Sequence, residues 1–328
     1  MQYRTMGRLG WPVSEIGYGM WGIAGGAGGF ASGADYELAP RCLDEAVDLG
    51  CTFFDTAWAY GRGISELMLG AVLRRHRDRT LRVATKIPPK NRAWPPGPDD
   101  TLEDVFPREH VRDYTWRSLT NLGVDRIDLM QFHVWEDRWA ADSQWQDTVR
   151  ELKDEGLVAS FGISVNRWEP ANCLAALDSG LIDVVQVIYN IFDQAPEDEL
   201  FDRAQAAGVG VIARVPFDEG SLVGTLTVDS TWPEEDWRAT YFGPENLKPT
   251  VERVDRLKPE VPEGMTLPEL ALRFALDHPA VTTVIPGMRK LDHVRRNLAM
   301  SDGHRLDPDL VRTLRPHRWD REPAWWSG

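Results

Sequence analysis

Cysteine is scarce in this chain of 328 residues, and the three present, Cys42, Cys51 and Cys173, fit neither a disulfide framework nor metal-ligand spacing. No pair among the seven histidines forms HExxH, so no metalloprotease-type zinc motif exists. Unbroken apolar runs of the roughly 18 to 20 residues that a membrane span requires are missing, and the opening MQYRTMGRLGW lacks the apolar core of a signal peptide. The expectation is a cytoplasmic protein. Positive charge is in short supply: 37 basic residues face 51 acidic ones, for a formal charge of −14. Such a surface repels nucleic acid and anionic lipid, which leaves a small molecule as the expected partner. No helix stands out as a subunit interface.

What the chain does contain is a repeated alternation of apolar strands and amphipathic helices. The strand candidates are residues 15–19, 52–55, 82–86, 127–133, 158–163, 184–187, 209–213 and 282–285. Helical spacing fills residues 38–49, 64–75, 108–122, 145–155, 170–177, 199–207 and 267–277, and Gly50, Gly123, Gly156 and Gly208 follow four of these as C-caps. Repeated βα units imply a parallel sheet buried on both faces. Eight of them favour closure into a (β/α)8 TIM barrel, with residues 1–328 as one domain ending in a tail from about residue 303. Two long interruptions, residues 87–106 and 215–248, are rich in Pro, Gly, Trp and acidic residues and follow strand C-termini, where they should rim a pocket. The aromatic tail from Asp307 begins with a short helix over 308–314; it either folds over the pocket mouth or docks elsewhere.

Four polar residues lie at or just beyond the ends of successive strands: Asp55 and Tyr60 in FFDTAWAYG, Lys86 in VATK, and His133 in LMQFH. Taken singly, a strand-end lysine is more often a rim charge, a tyrosine a packing residue and a histidine a satisfied core residue. Taken together, they suit acid-assisted hydride transfer to a carbonyl. No protein side chain donates hydride, so a nicotinamide would supply it. Lys86 would lower the pKa of the Tyr60 phenol, Asp55 would hold the lysine charged, and His133 would orient the carbonyl oxygen.

These segments, with GISELMLG, GVDRIDLMQFH, Gly162-Ile163-Ser164, VVQVIYN and VIPGMRKLDHVRRNL, resemble the ordered motifs of the aldo-keto reductases from about Thr5 to Asn297. The resemblance implies a (β/α)8 barrel without a Rossmann fold, an NADP(H) or NAD(H) cofactor, and Asp55, Tyr60, Lys86 and His133 as the catalytic tetrad. It also implies nicotinamide contacts from Ser164 and Gln186, Arg214 where relatives stack an aromatic ring, a phosphate region at Gly287, Met288, Arg289 and Lys290, and an adenine contact at Asn297. Val165-Asn166 departs from the family's Asn after the serine, Gly287-Met288 from its Lys-Ser, and Arg296 from an acidic closing residue.

The stretch Gly17-Tyr18-Gly19-Met20-Trp21-Gly22 matches GxGxxG, but a glycine-rich run follows where a dinucleotide fingerprint would open a helix. That run reads as a mobile loop. Arg289 and Lys290 form a basic cluster in an acidic chain, which favours NADP(H), with NAD(H) as the alternative. Trp21, Trp58, Trp94 and Trp135 are expected to line an aromatic pocket for aldehydes or ketones, with sugars second. Two rival readings are a lyase with a Schiff base on Lys86 and a nucleotide-binding regulatory subunit of the same fold.

Overall fold

The computed structural model describes residues 1–24 and 35–323. The greater part of the glycine-rich run and the last five residues of the tail lie outside the described residues. A hairpin comes first: β1 (Tyr3–Met6) pairs antiparallel with β2 (Trp11–Ser14). Eight parallel strands follow, β3 (Tyr18–Gly19), β4 (Phe53–Asp55), β5 (Arg82–Ile87), β6 (Ile127–Phe132), β7 (Val158–Ser164), β8 (Val184–Ile188), β9 (Gly210–Arg214) and β10 (Thr283–Val284), paired in sequence order. Bridges from Ile16 to Val284 and from Gly19 to Gly287 join the first strand to the last. The fold is therefore the (β/α)8 barrel expected from the alternation.

The seam depends on Gly19. Its N–H donates to Pro286 O at 3.1 Å, and a Cβ there would come within 2.6 Å of Ile285 O. Backbone cannot yield to such a contact, so only glycine lets the two strands approach. The expected strand 15–19 is continuous only over Tyr18–Gly19; ahead of it, Ile16 makes an isolated bridge to Val284, with Gly17 N–H donating to Val284 O at 2.8 Å. The hairpin itself was not anticipated. It closes the N-terminal end, where Met6 and Val13 join Phe53, Ala84, Leu129, Val184, Ile212 and Ile285 in an apolar cluster inside the barrel.

The helices are α1 (Leu38–Asp48), α2 (Ile64–Arg75), α3 (Leu102–Val105), α4 (Arg108–Leu122), α5 (Ser143–Asp154), α6 (Leu174–Asp178), α7 (Leu200–Ala206), α8 (Trp237–Tyr241), α9 (Pro244–Leu257), α10 (Leu267–Asp277), α11 (Leu291–Ala299) and α12 (Pro308–Leu314). Gly50, Gly123, Gly156 and Gly208 all take positive φ after their helices, as C-cap chemistry requires. Side chains cap the N-termini of α5 and α10, where Asp142 accepts from the Gln144 N–H and Thr266 from the Glu269 N–H.

Two helical expectations needed correction. The stretch 170–177 is helical only from Leu174, because Asp137, from the segment after β6, accepts the N–H groups of Ala175 and Ala176 and fixes the helix start there. The insertion 215–248 is not loop throughout: α8 and the start of α9 fall inside it, and α9 tolerates Pro249 in its interior. Among the described residues no helix is long and apolar enough to cross a membrane.

Candidate active site

Period-2 alternation builds the site. Counting two residues toward the strand C-terminus from five of the apolar side chains of the interior cluster leads from Phe53 to Asp55, Ala84 to Lys86, Leu129 to Gln131, Val184 to Gln186 and Ile212 to Arg214. Each pair of positions shares a face of its strand, so a polar layer rests on an apolar floor. Gly162 completes the layer on β7 without a side chain, since a Cβ there would lie 2.6 Å from Val184 O and 3.1 Å from Gln131 Cγ.

Lys86 is the centre of this layer. It is fully buried, and its Nζ donates to Asp55 Oδ2 at 2.7 Å, to Thr56 O at 2.8 Å and to Tyr60 Oη at 3.4 Å. All three ammonium protons have acceptors. Asp55 is satisfied from the other side as well, since Gln186 Nε2 donates to its Oδ1 at 2.7 Å. A buried ammonium left unpaired would tend to lose its proton, and a neutral amine is what a Schiff base requires. The Asp55 pairing opposes that chemistry.

Tyr60 and His133 stand above the pair. Their ring centroids are 5.7 Å apart, and Trp94 meets His133 edge-on at 4.6 Å, so the 87–106 loop does reach the site. Burial pushes the Tyr60 phenol above its ordinary pKa, although Lys86 pulls in the opposite direction. The expectation of a net lowering is thus corrected: the desolvation cost of a phenolate outweighs the nearby ammonium. Burial, reinforced by Lys86 and Arg214, holds the His133 imidazole well below its usual range, so the ring is neutral near pH 7.

The other expected residues divide into groups. Ser164 and Gln186 are buried and in register on β7 and β8. Arg214 ends β9, and its guanidinium donates to Val165 O at 3.1 Å. Asn166 is turned into a local turn, accepting the Glu169 N–H at 2.8 Å. Gly287 and Lys290 are exposed, Arg289 and Asn297 are half-buried, and Arg296 is exposed beside Asp292. Met288 needs correction as a contact residue. It is fully enclosed, its side chain lies in the core between sheet and helices, and its carbonyl accepts from the Tyr18 hydroxyl.

Of the four tryptophans, Trp94 faces His133 and Trp21 meets Trp237 of α8 edge-on at 5.2 Å. Trp58 packs edge-on against Tyr114 of α4 at 4.7 Å. Trp135 does not line a pocket. It is 1% exposed and packs on Phe132, Trp139 and Trp145 in the layer between sheet and helices. Strand β6 ends at Phe132, so the alternation that turns Gln131 and His133 inward does not extend to Trp135. Gln131 was overlooked, although the same alternation, two residues before His133, marks it.

The sequence matches the aldo/keto reductase family over residues 15–318. It is 27% identical over 323 residues to the uncharacterized oxidoreductase YqkF of Bacillus subtilis (strain 168), covering 97% of this chain and 96% of that one. It is 27% identical over 307 residues to the NADH-specific methylglyoxal reductase of Escherichia coli (strain K12), covering 91% and 93%. The aldo-keto reductase AKR11C1 from Bacillus halodurans, in its holo form, superposes over 100% of both chains with a TM-score of 0.77 at 25% identity. The chain belongs to the aldo/keto reductase family, oxidoreductases that act on small carbonyl compounds with nicotinamide cofactors.

Removing one partner of the central ion pair should be costly. Asp55→Asn is expected to destabilise the protein by about 3 kcal/mol, because it leaves a buried ammonium without its carboxylate, whereas Asp55→Asn combined with Lys86→Met should recover much of that loss. Urea titration of the single and double variants checks both values.

Proposed function

We propose that this protein is a carbonyl reductase, dependent on NADP(H) by preference, in which Tyr60 delivers the proton. The observation that carries this reading is the contact of a protonated phenol with a buried, fully paired ammonium, beside a neutral imidazole at the same end of the barrel. When bound, the reduced nicotinamide supplies the hydride. Tyr60 keeps its proton at neutral pH and releases it to the alkoxide oxygen as negative charge develops there. Lys86, 3.4 Å away, steadies the resulting phenolate. Asp55 keeps Lys86 charged and Gln186 keeps Asp55 in place. The His133 ring, as its Nε2–H tautomer, donates to the carbonyl oxygen and fixes its direction.

The residues present suit a nicotinamide dinucleotide. Ser164 and Gln186 offer a hydroxyl and an amide oxygen for the carboxamide, and Arg214 offers a planar cation at the neighbouring strand end. Arg289 is half-buried, with Arg238 and Asp236 in its field and Arg238 held by Asp236, and its guanidinium is one that a 2′-phosphate would engage. That placement supports NADP(H); the NADH-specific relative keeps NAD(H) as the alternative. Trp94 beside His133 favours aldehydes and ketones with an apolar or aromatic body. Hydrogen bonds from residues 2 and 4 to 301 and 281, together with the docked tail, support one domain, and we read its location as cytoplasmic.

Fluorescence titration of the purified protein with NADPH and with NADH tests the framework, and saturable binding of at least one is expected. Tyr60→Phe should leave that binding within about twofold and cut carbonyl reduction by about two to four orders of magnitude. The reduction rate of the wild type should stay level through neutral pH and fall only as the raised phenol pKa is passed, above about 10. No inflection from a charged His133 is expected near pH 6.5; a pH–rate profile reads both. Arg289→Ala should raise the Kd for NADPH by about tenfold or more and leave that for NADH nearly unchanged. Equal losses would refute the phosphate role.

A further inference from the structure

We propose that Arg321, carried by the C-terminal tail, is a positioning residue for the cofactor wall: it locks the loop after β9 and thereby holds Arg214. This rests on the reading of Ser164, Gln186 and Arg214 as cofactor contacts.

The loop after β9 is strained. Val215, Asp218 and Glu219 have φ of 56°, 45° and 55°, left-handed values that only glycine adopts freely. Such residues persist where their surroundings over-determine them. Here Asn190 Nδ2 donates to Val215 O at 3.0 Å, and Arg321 grips Asp218 with both terminal nitrogens, at 2.6 and 2.8 Å. Arg167, from the loop after β7, lies 3.7 Å from the Asp218 carboxylate, 3.5 Å from Glu219 and 3.5 Å from Asp193. Asp218 is fully buried, and Arg167 and Arg321 are each 8% exposed.

Charge explains why the tail matters. Arg167, Arg214 and Arg321 balance Asp193, Asp218 and Glu219, three against three. Without Arg321 the buried set carries an excess carboxylate, and Asp218 loses its bidentate partner. The loop begins directly after Arg214, whose guanidinium donates to Val165 O, next to Ser164. Releasing the loop therefore disturbs the strand ends of β7 and β9; among the described residues no direct hydrogen bond or ion pair joins the Lys86–Asp55 pair to the Asp218 cluster, and Arg214 reaches Tyr60 and Asp55 only through its field.

The tail has other anchors. Trp319 N–H donates to Phe192 O at 2.7 Å, Arg318 pairs with Asp198, and the Arg253 guanidinium lies 4.2 Å from the Trp319 ring. Arg321 is thus not needed merely to keep the tail attached, and its bond to Asp218 is directed at the loop.

The test uses full-length wild type, Arg321→Met, Arg321→Lys, and Arg321→Met combined with Asp218→Asn. Hydrogen exchange of residues 214–224 is followed without cofactor, and Kd, KM and kcat are measured with NADPH and NADH. Arg321→Met should speed exchange in the loop and raise cofactor Kd and KM by about tenfold, equivalent to about 1.4 kcal/mol, with kcat within about threefold. Arg321→Lys, which restores the charge without the bidentate grip, should recover part of the loss, as should the added Asp218→Asn. Wild-type loop exchange in Arg321→Met, or faster exchange confined to residues 318–323, would overturn the proposal. So would a mobile loop with unchanged cofactor affinity. Should Arg321→Met not fold, Arg321→Lys decides: wild-type exchange and affinity in that variant refute a bidentate lock. Failure of the wild type to bind either cofactor would instead overturn the functional reading, leaving the exchange data to report on the loop alone.

Discussion

The ion pair between Lys86 and Asp55 is the constraint on which the site depends. An ammonium buried inside a barrel survives only if its protons are accepted and its partner is itself held. Asp55 therefore needs Gln186 on its second oxygen, and Lys86 needs the carbonyl of Thr56. That requirement fixes residues on three strands relative to one another, and with them the height at which Tyr60 can meet the ammonium. The pair adds little net stability when weighed against an apolar replacement. Its value is the defined position of a charge beneath a phenol that burial keeps neutral.

The barrel makes such a position possible through alternation alone. A floor of Phe53, Ala84, Leu129, Val184, Ile212 and Ile285 excludes water from below, and the next inward residues are the polar ones. Low dielectric strengthens every interaction in that layer and also forces the opposite response from its two titratable rings: the phenol is pushed up and the imidazole down, both toward neutrality. A neutral acid beside a neutral hydrogen-bond donor is the combination that the proposed carbonyl reduction would use.

Most of this layer was legible from the sequence because it follows local rules. Strand runs such as Arg82–Ile87 and Ile127–Phe132 are apolar and short, and a polar residue at their end stands out. Trp135 was misplaced because a tryptophan just beyond a strand end reads the same in one dimension whether it faces a pocket or the layer between sheet and helices. Met288 was misplaced because contact with a ligand and contact with Tyr18 look identical in one dimension. The sign of the Tyr60 shift depends on the degree of burial, which no spacing encodes. The ion cluster after β9 was invisible, since Arg321 and Asp218 are separated by 103 positions and neither follows a motif.

The join between β3 and β10 is two residues deep on each side, whereas β5, β6 and β7 share long ladders. It also unites segments more than 260 positions apart, so the chain must lose the entropy of a very large loop before these few hydrogen bonds form. Closure of the cylinder is therefore expected late in assembly, after the strands from β4 to β9 have found their neighbours. In the finished molecule the same join is the edge at which the ring is expected to part first, so that local opening would run along a line rather than from a point.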